Sequence, residues 1–295
     1  MRVFSKLTAG AAVAGVCLWA LVGTVFAQTA LKGASGADIV FAPHRAIYDL
    51  SLDETNSGSG VAGVSGRIVY ELTGSPCEGY AQSMRFVTET VTQEGDTQVT
   101  DLRTSSWEQV PPRRLRFSTS TYQNEQPADQ TQGIAERDNP TGGTRVDLTR
   151  PAKRKIALTG NVYFPIQHSM AIVKAARAGT TILAADLFDG SETGDKIYAT
   201  STVIGRQIPP GKGRTLSLSS SSAKLDDVPS WPVSVSYFTP GRSRTDTLPL
   251  YEMSYRFHDN GVTSSLRIDH GEFAIRGELK ELTYLDAGKC PVAKP

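Results

Sequence analysis

The sequence predicts a mostly β, antiparallel, single-domain protein with one amphipathic helix, on three observations. Apolar residues alternate with polar ones along most of the chain; turn-forming residues recur between these runs; and one segment near 165–178 follows a helical period instead. The strands are legible in order. Ile68, Tyr70 and Leu72 alternate with polar neighbours, as do Leu115, Phe117 and Thr119, then Val233, Val235 and Tyr237, and finally Phe273, Ile275, Gly277 and Leu279. A period of two with one apolar side describes a strand with one wet face.

The turns agree with this reading. Glu94-Gly95-Asp96 separates two Thr/Val-rich runs, and His258-Asp259-Asn260-Gly261 separates Tyr251–Phe257 from Val262–Ile268 with an Asn-Gly hairpin signal. The exception is Pro165, Ile166, Met170 and Val173, with Ala-rich spacing and Gly179 as terminator, which predicts a helix of about three turns. The polar stretches Thr55–Gly60, Gln123–Gln132 and Gly211–Gly213 read as loops. No linker or long repeat divides the chain, so one domain is expected over 38–291, preceded by a flexible 28–37.

The N-terminus reads as an export signal. Arg2 and Lys6 form a basic leader, Leu7 to Phe26 carries no charge, and Val25-Phe26-Ala27 supplies small residues before Gln28. Cleavage after Ala27 places the mature chain in the periplasm. Cys17 lies inside the apolar stretch and not at the cleavage point, which argues against lipidation. Of 31 basic residues two leave with the leader, so 29 face 30 acidic ones. That balance lacks the basic excess of a nucleic-acid binder. No later run is apolar enough to span a bilayer.

Export also leaves an even pair of cysteines, Cys77 and Cys290, in an oxidising compartment. Neither has a neighbouring Cys in a C-x-x-C arrangement or a His at ligand spacing, so a structural disulfide is expected in preference to free redox or metal-binding thiols. A bond across 213 positions would close nearly the whole fold.

Short motifs in order resemble the EipB-type cell envelope integrity proteins of alphaproteobacteria. They include Ala42-Pro43-His44-Arg45-Ala46 leading into Tyr48, Leu50 and Leu52; Gly66-Arg67; Cys77-x-Gly79-Tyr80; Phe164-Pro165-x-x-His168; Leu187-Phe188-Asp189-Gly190-Ser191; Trp231-Pro232-Val233; and Tyr251-Glu252-Met253 before Asn260-Gly261. The strand signals above amount to roughly 14 strands, and the resemblance implies that they coil into a periplasmic broken barrel or β-spiral, with a helix packed into it and a disulfide between the matched cysteines. It also implies a role in envelope integrity under stress, with no assigned reaction.

Chemistry is sparse. His44, His168, His258 and His270 show no H-x-H or H-E-x-x-H spacing, and there is no G-x-S-x-G elbow, so no catalytic residue, metal site or cofactor is expected. Asp189–Asp195 is acidic and Gly-rich but lacks the ligand pattern of a calcium loop, and reads as a turn between strands. The candidate binding residues are His44 and Arg45, which pair a His with an Arg suited to bidentate anion capture, and Trp231 with Tyr237, an aromatic pair suited to a glycan or lipid. Each has a plainer reading: an ion pair fixing the first strand, and aromatics filling the core. A periplasmic protein or peptidoglycan is the expected partner, with lipid as an alternative cargo and an envelope-polymer hydrolase as a third reading.

Overall fold

The computed structural model describes residues 39–109, 111, 114–137, 143–212, 224–239 and 247–288. The expected leader, the flexible 28–37 and Cys290 lie outside these residues. Residues 38–295 form one unit. Fifteen strands join in one sheet: β1 (His44–Thr55), β2 (Val61–Ser75), β3 (Gly79–Thr92), β4 (Thr97–Glu108), β5 (Arg114–Gln123), β6 (Gln126–Arg137), β7 (Thr144–Arg150), β8 (Arg154–Leu158), β9 (Val162–Tyr163), β10 (Ile182–Leu187), β11 (Tyr198–Ile204), β12 (Ser230–Phe238), β13 (Tyr251–His258), β14 (Thr263–Asp269) and β15 (Phe273–Tyr284).

Hairpin follows hairpin, and the order β8-β7-β6-β5-β4-β3-β2-β1-β15-β14-β13-β12-β11-β10-β9 puts the first and last strands side by side in the middle of the sheet. The two edges, β8 and β9, are consecutive in sequence. The result is a nearly closed barrel with one seam between them. β8 and β9 are not hydrogen-bonded to each other, so the sheet keeps two short edges, of five and two residues, at the seam.

The predicted alternation fixes which side faces in. Ile68 and Leu72 on β2, Leu115 and Phe117 on β5, Val233 and Val235 on β12, and Ile275 and Leu279 on β15 are all buried. The expected helix is α1 (Pro165–Arg177), with Pro165 in its first turn. Its end is a Schellman motif: the Thr180 amide donates to the Ala175 carbonyl at 2.9 Å, the Gly179 amide to Ala176 at 3.0 Å, and Gly179 sits at φ +73°. Ile166, Ile172, Val173 and Ala176 face the interior, sharing a core with Leu72, Tyr80, Trp231, Val235 and Phe257. The helix is therefore a filling of the barrel and not a surface element.

One expected loop is a strand. Gln126–Gln132 belongs to β6, which pairs with β5 through a two-residue turn at Asn124 and Glu125, both at positive φ. Residues 126–130 are exposed throughout, so this end of the strand has no apolar side and its pairing leaves no periodicity to read.

The β10–β11 connection spans the seam. Gly190 packs so tightly on Phe117 of β5 that a Cβ would overlap the ring, and Gly194 is similarly pressed against Leu148 and Thr131 of β7 and β6. Both glycines also have positive φ, +76°. The Arg154 guanidinium on β8 donates to Asp195 at 3.2 Å. This turn, which superficially resembles a calcium loop, is thus a strap tying the strands next to one edge to those next to the other.

Candidate functional site

The strand geometry separates the first candidate pair. His44 is 1% exposed and faces in, while its neighbour Arg45 is exposed on the outer face, as alternation along a strand requires. The two cannot converge on one ligand. His44 Nδ1 donates to the Ala42 carbonyl at 2.7 Å, its ring lies 5.6 Å from Tyr70, and burial lowers its pKa. It holds the entry to β1.

Trp231 and Tyr237 do share the inner face of β12. Trp231 is buried in the core with the helix, whereas Tyr237 stacks on Tyr251 with centroids 4.4 Å apart and an interplanar angle of 15°. Tyr251, Met253 and Tyr255 follow on the inner face of β13, in register with Tyr237, Val235 and Val233. All three remain only partly buried, so the barrel interior carries an aromatic and methionine-lined zone that is less tightly filled than the core around α1.

The strongest electrostatic feature is at the start of α1, and the sequence reading missed it. Phe164 precedes the helix and offers no side-chain cap. The orphan amides of Ile166 and Gln167 are taken by Glu108, the last residue of β4, at 2.7 and 2.9 Å to its two carboxylate oxygens. Glu108 is 1% exposed. Burial pushes its pKa up to about 7 against the pull of those two amides and of the Arg137 charge.

Arg137, the last residue of β6 and also buried, completes the latch. Its guanidinium lies 4.0 Å over the Phe164 ring, donates to Gln167 Oε1 and Thr144 Oγ1 at 3.2 Å each, and donates to the Val162 carbonyl of the edge strand β9. Glu108 and Arg137 thus bring β4 and β6 across the seam onto β9 and α1. The sequence does hold one signal for this: a helix opening Phe-Pro-Ile-Gln, with no Ser, Thr, Asp or Asn to cap it, must find its acceptor elsewhere.

His168 and His258 are structural, while His270 is exposed beside Phe273, ring centroids 5.0 Å apart. His168 Nε2 lies 3.2 Å from Thr200 Oγ1, whose hydroxyl donates to the Ala185 carbonyl at 2.9 Å; this leaves the ring nitrogen as the donor. His258 Nε2 lies 2.8 Å from Ser264 Oγ, a serine–histidine contact of the kind a hydrolase uses. Both residues are 2% exposed, however, so no substrate reaches the hydroxyl. Burial lowers the pKa of His168 and of His258 to about 4, helped in the second by the Arg256 charge. No cluster of three metal-ligating side chains occurs among the described residues.

These two histidines make a prediction. Between pH 6.5 and 4 the unfolded chain takes up protons at both positions and the folded chain does not, so each withdraws up to about 3 kcal/mol of stability as the pH falls. Glu108 has the opposite sign and offsets roughly one of them. The melting temperature should therefore fall on acidification from pH 6.5 to 4, and a flat or rising profile would contradict neutral burial of His168 and His258.

A nearly closed barrel filled by a helix, with His44, His168, His258 and the buried Glu108 carboxylate committed to holding strands together, defines a β-barrel-like scaffold. Among the described residues no helix is long and apolar enough to cross a membrane. The chain belongs to the EipB-like family, whose model matches residues 35–286. It is 34% identical to the cell envelope integrity protein EipB of Brucella abortus (strain 2308) over 97% of each chain. It also shares its fold with a crystallised β-barrel-like protein of a domain of unknown function from Brucella abortus: TM-score 0.76, 33% identity, covering 84% of this chain and all of the other.

Proposed function

We propose that this protein is an exported, periplasmic, non-enzymatic component that supports cell envelope integrity and resistance to envelope stress. The observation that carries the reading is the similarity to the Brucella envelope integrity protein along 97% of both chains. The basic and apolar N-terminus supports export, and the burial of the His258–Ser264 contact argues against hydrolysis there. The proposal includes a Cys77–Cys290 disulfide. It is supported by Cys77 being bonded and not a free thiol, and by the seating of Gly288 against the side chain of Glu78, which brings the chain two residues before Cys290 next to Cys77.

Deleting the gene should sensitise the cell to detergent and to cell-wall antibiotics, with recovery on re-expression; unchanged sensitivity would sink the reading. A second reading, a carrier of lipid or lipoprotein, is favoured by the partly exposed inner side chains Tyr237, Tyr251, Met253 and Tyr255. Native mass spectrometry of protein purified from envelopes should then show bound acyl chains, and an empty interior would remove it.

A further inference from the structure

The outer face of β2–β6 carries a cleft of about 710 Å³, within the size range of about 300–1,000 Å³ typical of ligand sites. Strand register explains it. One row across the sheet runs Glu71, Ser83, Ser105, Ser118, Gln132, and the next runs Thr73, Ala81, Trp107, Arg116, Ile134. Small residues on the central strands make the floor; Trp107, Arg116 and Ile134 make one wall, and Glu71 and Thr73 stand at the far side. Side chains on facing positions of neighbouring strands lie about 5 Å apart, so serine and alanine there leave a trough.

The trough differs chemically from the rest of that face. Further along β1–β4 and on β14–β15 the outward charges are locked in pairs: Arg67 with Asp49, Arg85 and Arg103 with Asp101, Arg267 with Asp53, Glu54 and Asp269. In the trough, the side chains of Glu71, Ser83, Ser105, Ser118 and Gln132 have no hydrogen-bond or ion-pair partner among the described residues. Among the described residues the Arg116 side chain has one partner, the Trp107 ring, 5.5 Å away in a cation–π contact. That indole is held in place, its Nε1 donating to the Glu78 carbonyl at 3.2 Å and its ring packed on Gly79, where a Cβ would clash.

We propose that this trough binds a neutral glycan chain. One cation and one anion cancel, so a polyphosphate or anionic lipid surface finds no charge excess. Hydroxyls, an amide and a guanidinium match the hydroxyl rim of a sugar ring as donors and acceptors. The indole wall and Ile134 match the ring's C–H face. The proposal deepens the envelope-support reading, on which it rests, by naming the partner polymer.

The test is titration of the folded, oxidised chain with chitotetraose and with maltotetraose, read by calorimetry and by tryptophan fluorescence in a Trp231→Phe background, alongside phosphatidylglycerol vesicles. Saturable binding of either oligosaccharide is expected. It should weaken roughly tenfold or more in Ser105→Trp, which fills the floor from an exposed position, and in Arg116→Ala, with melting temperatures unchanged. Binding of neither sugar, binding undiminished in Ser105→Trp, or binding of vesicles alone would overturn it. In cells, full complementation of a sensitised deletion by Ser105→Trp would reject the glycan trough and leave the envelope role standing, whereas an unsensitised deletion would reject the role itself.

Discussion

Replacing Glu108 by Ala should lower the stability of the barrel by about 3–5 kcal/mol, because it leaves two helix amides and the Arg137 guanidinium buried without their acceptor and counter-charge. For a domain of this size that is a drop of roughly 10 °C in melting temperature. Arg137→Ala should cost a similar amount, since its hydrogen bonds reach Thr144, Gln167 and the Val162 carbonyl on the edge strand. The double variant should lose less than the sum of the two, because both side chains serve one helix start. Simple additivity would mean that the latch is two unrelated contacts.

The pH dependence of Glu108→Gln separates a cap that works ionised from one that works neutral. Burial raises the Glu108 pKa from 4.5 to about 7. The folded chain therefore keeps a proton that the unfolded chain releases between these values. The stability from this residue is then complete below pH 4.5 and is withdrawn as the pH rises through 7. Glutamine resembles the protonated acid, so the melting-temperature deficit of Glu108→Gln should be larger at pH 5 than at pH 8. A deficit that stays flat from pH 5 to 8 and shrinks only below about pH 4.5 would show that the Ile166 and Gln167 amides outweigh burial and hold the carboxylate ionised.

The sequence exposes strands only where they have a dry side. Ile68, Tyr70 and Leu72, or Val233, Val235 and Tyr237, announce themselves because each faces the interior at every second residue. β6 does not: it begins Gln-Pro-Ala-Asp-Gln, exposed on both sides, and its prominent apolar residue, Ile134, points outward at 37% exposure. The helix is legible because Pro165 starts it, Gly179 ends it and its apolar spacing is helical. Its anchor is not, because Glu108 and Arg137 lie 57 and 28 positions before Pro165 and meet it only after the sheet has wound almost full circle. The outer trough escaped for the same reason. Ser83, Ser105 and Ser118 are ordinary strand residues in sequence, and only register places them in one row.

Replacing Cys77 by Ser should produce the other large effect, a loss of up to about 5 kcal/mol on the chain-entropy account of a loop this long. The topology shows why a bond at this place matters. Leu72 of β2 and Tyr284 of β15 both lie opposite His44, one on each side of β1. The β2–β3 turn holding Cys77 and the chain leaving β15 therefore emerge at the same end of the sheet. β15 is the last strand and sits at its centre, so fraying of its end exposes β1 as well as β14. The proposed disulfide from Cys77 to Cys290 would fasten that end to the neighbouring hairpin, whose turn Trp107 shares through its bond to the Glu78 carbonyl. Melting of the oxidised chain, of the same chain under reductant and of Cys77→Ser should give one high and two low temperatures. Coincidence of all three would rule out the clasp. If reduction also weakens sugar binding while Arg116→Ala leaves the melting temperature unchanged, the clasp and the trough are coupled through the Cys77–Gly79 turn.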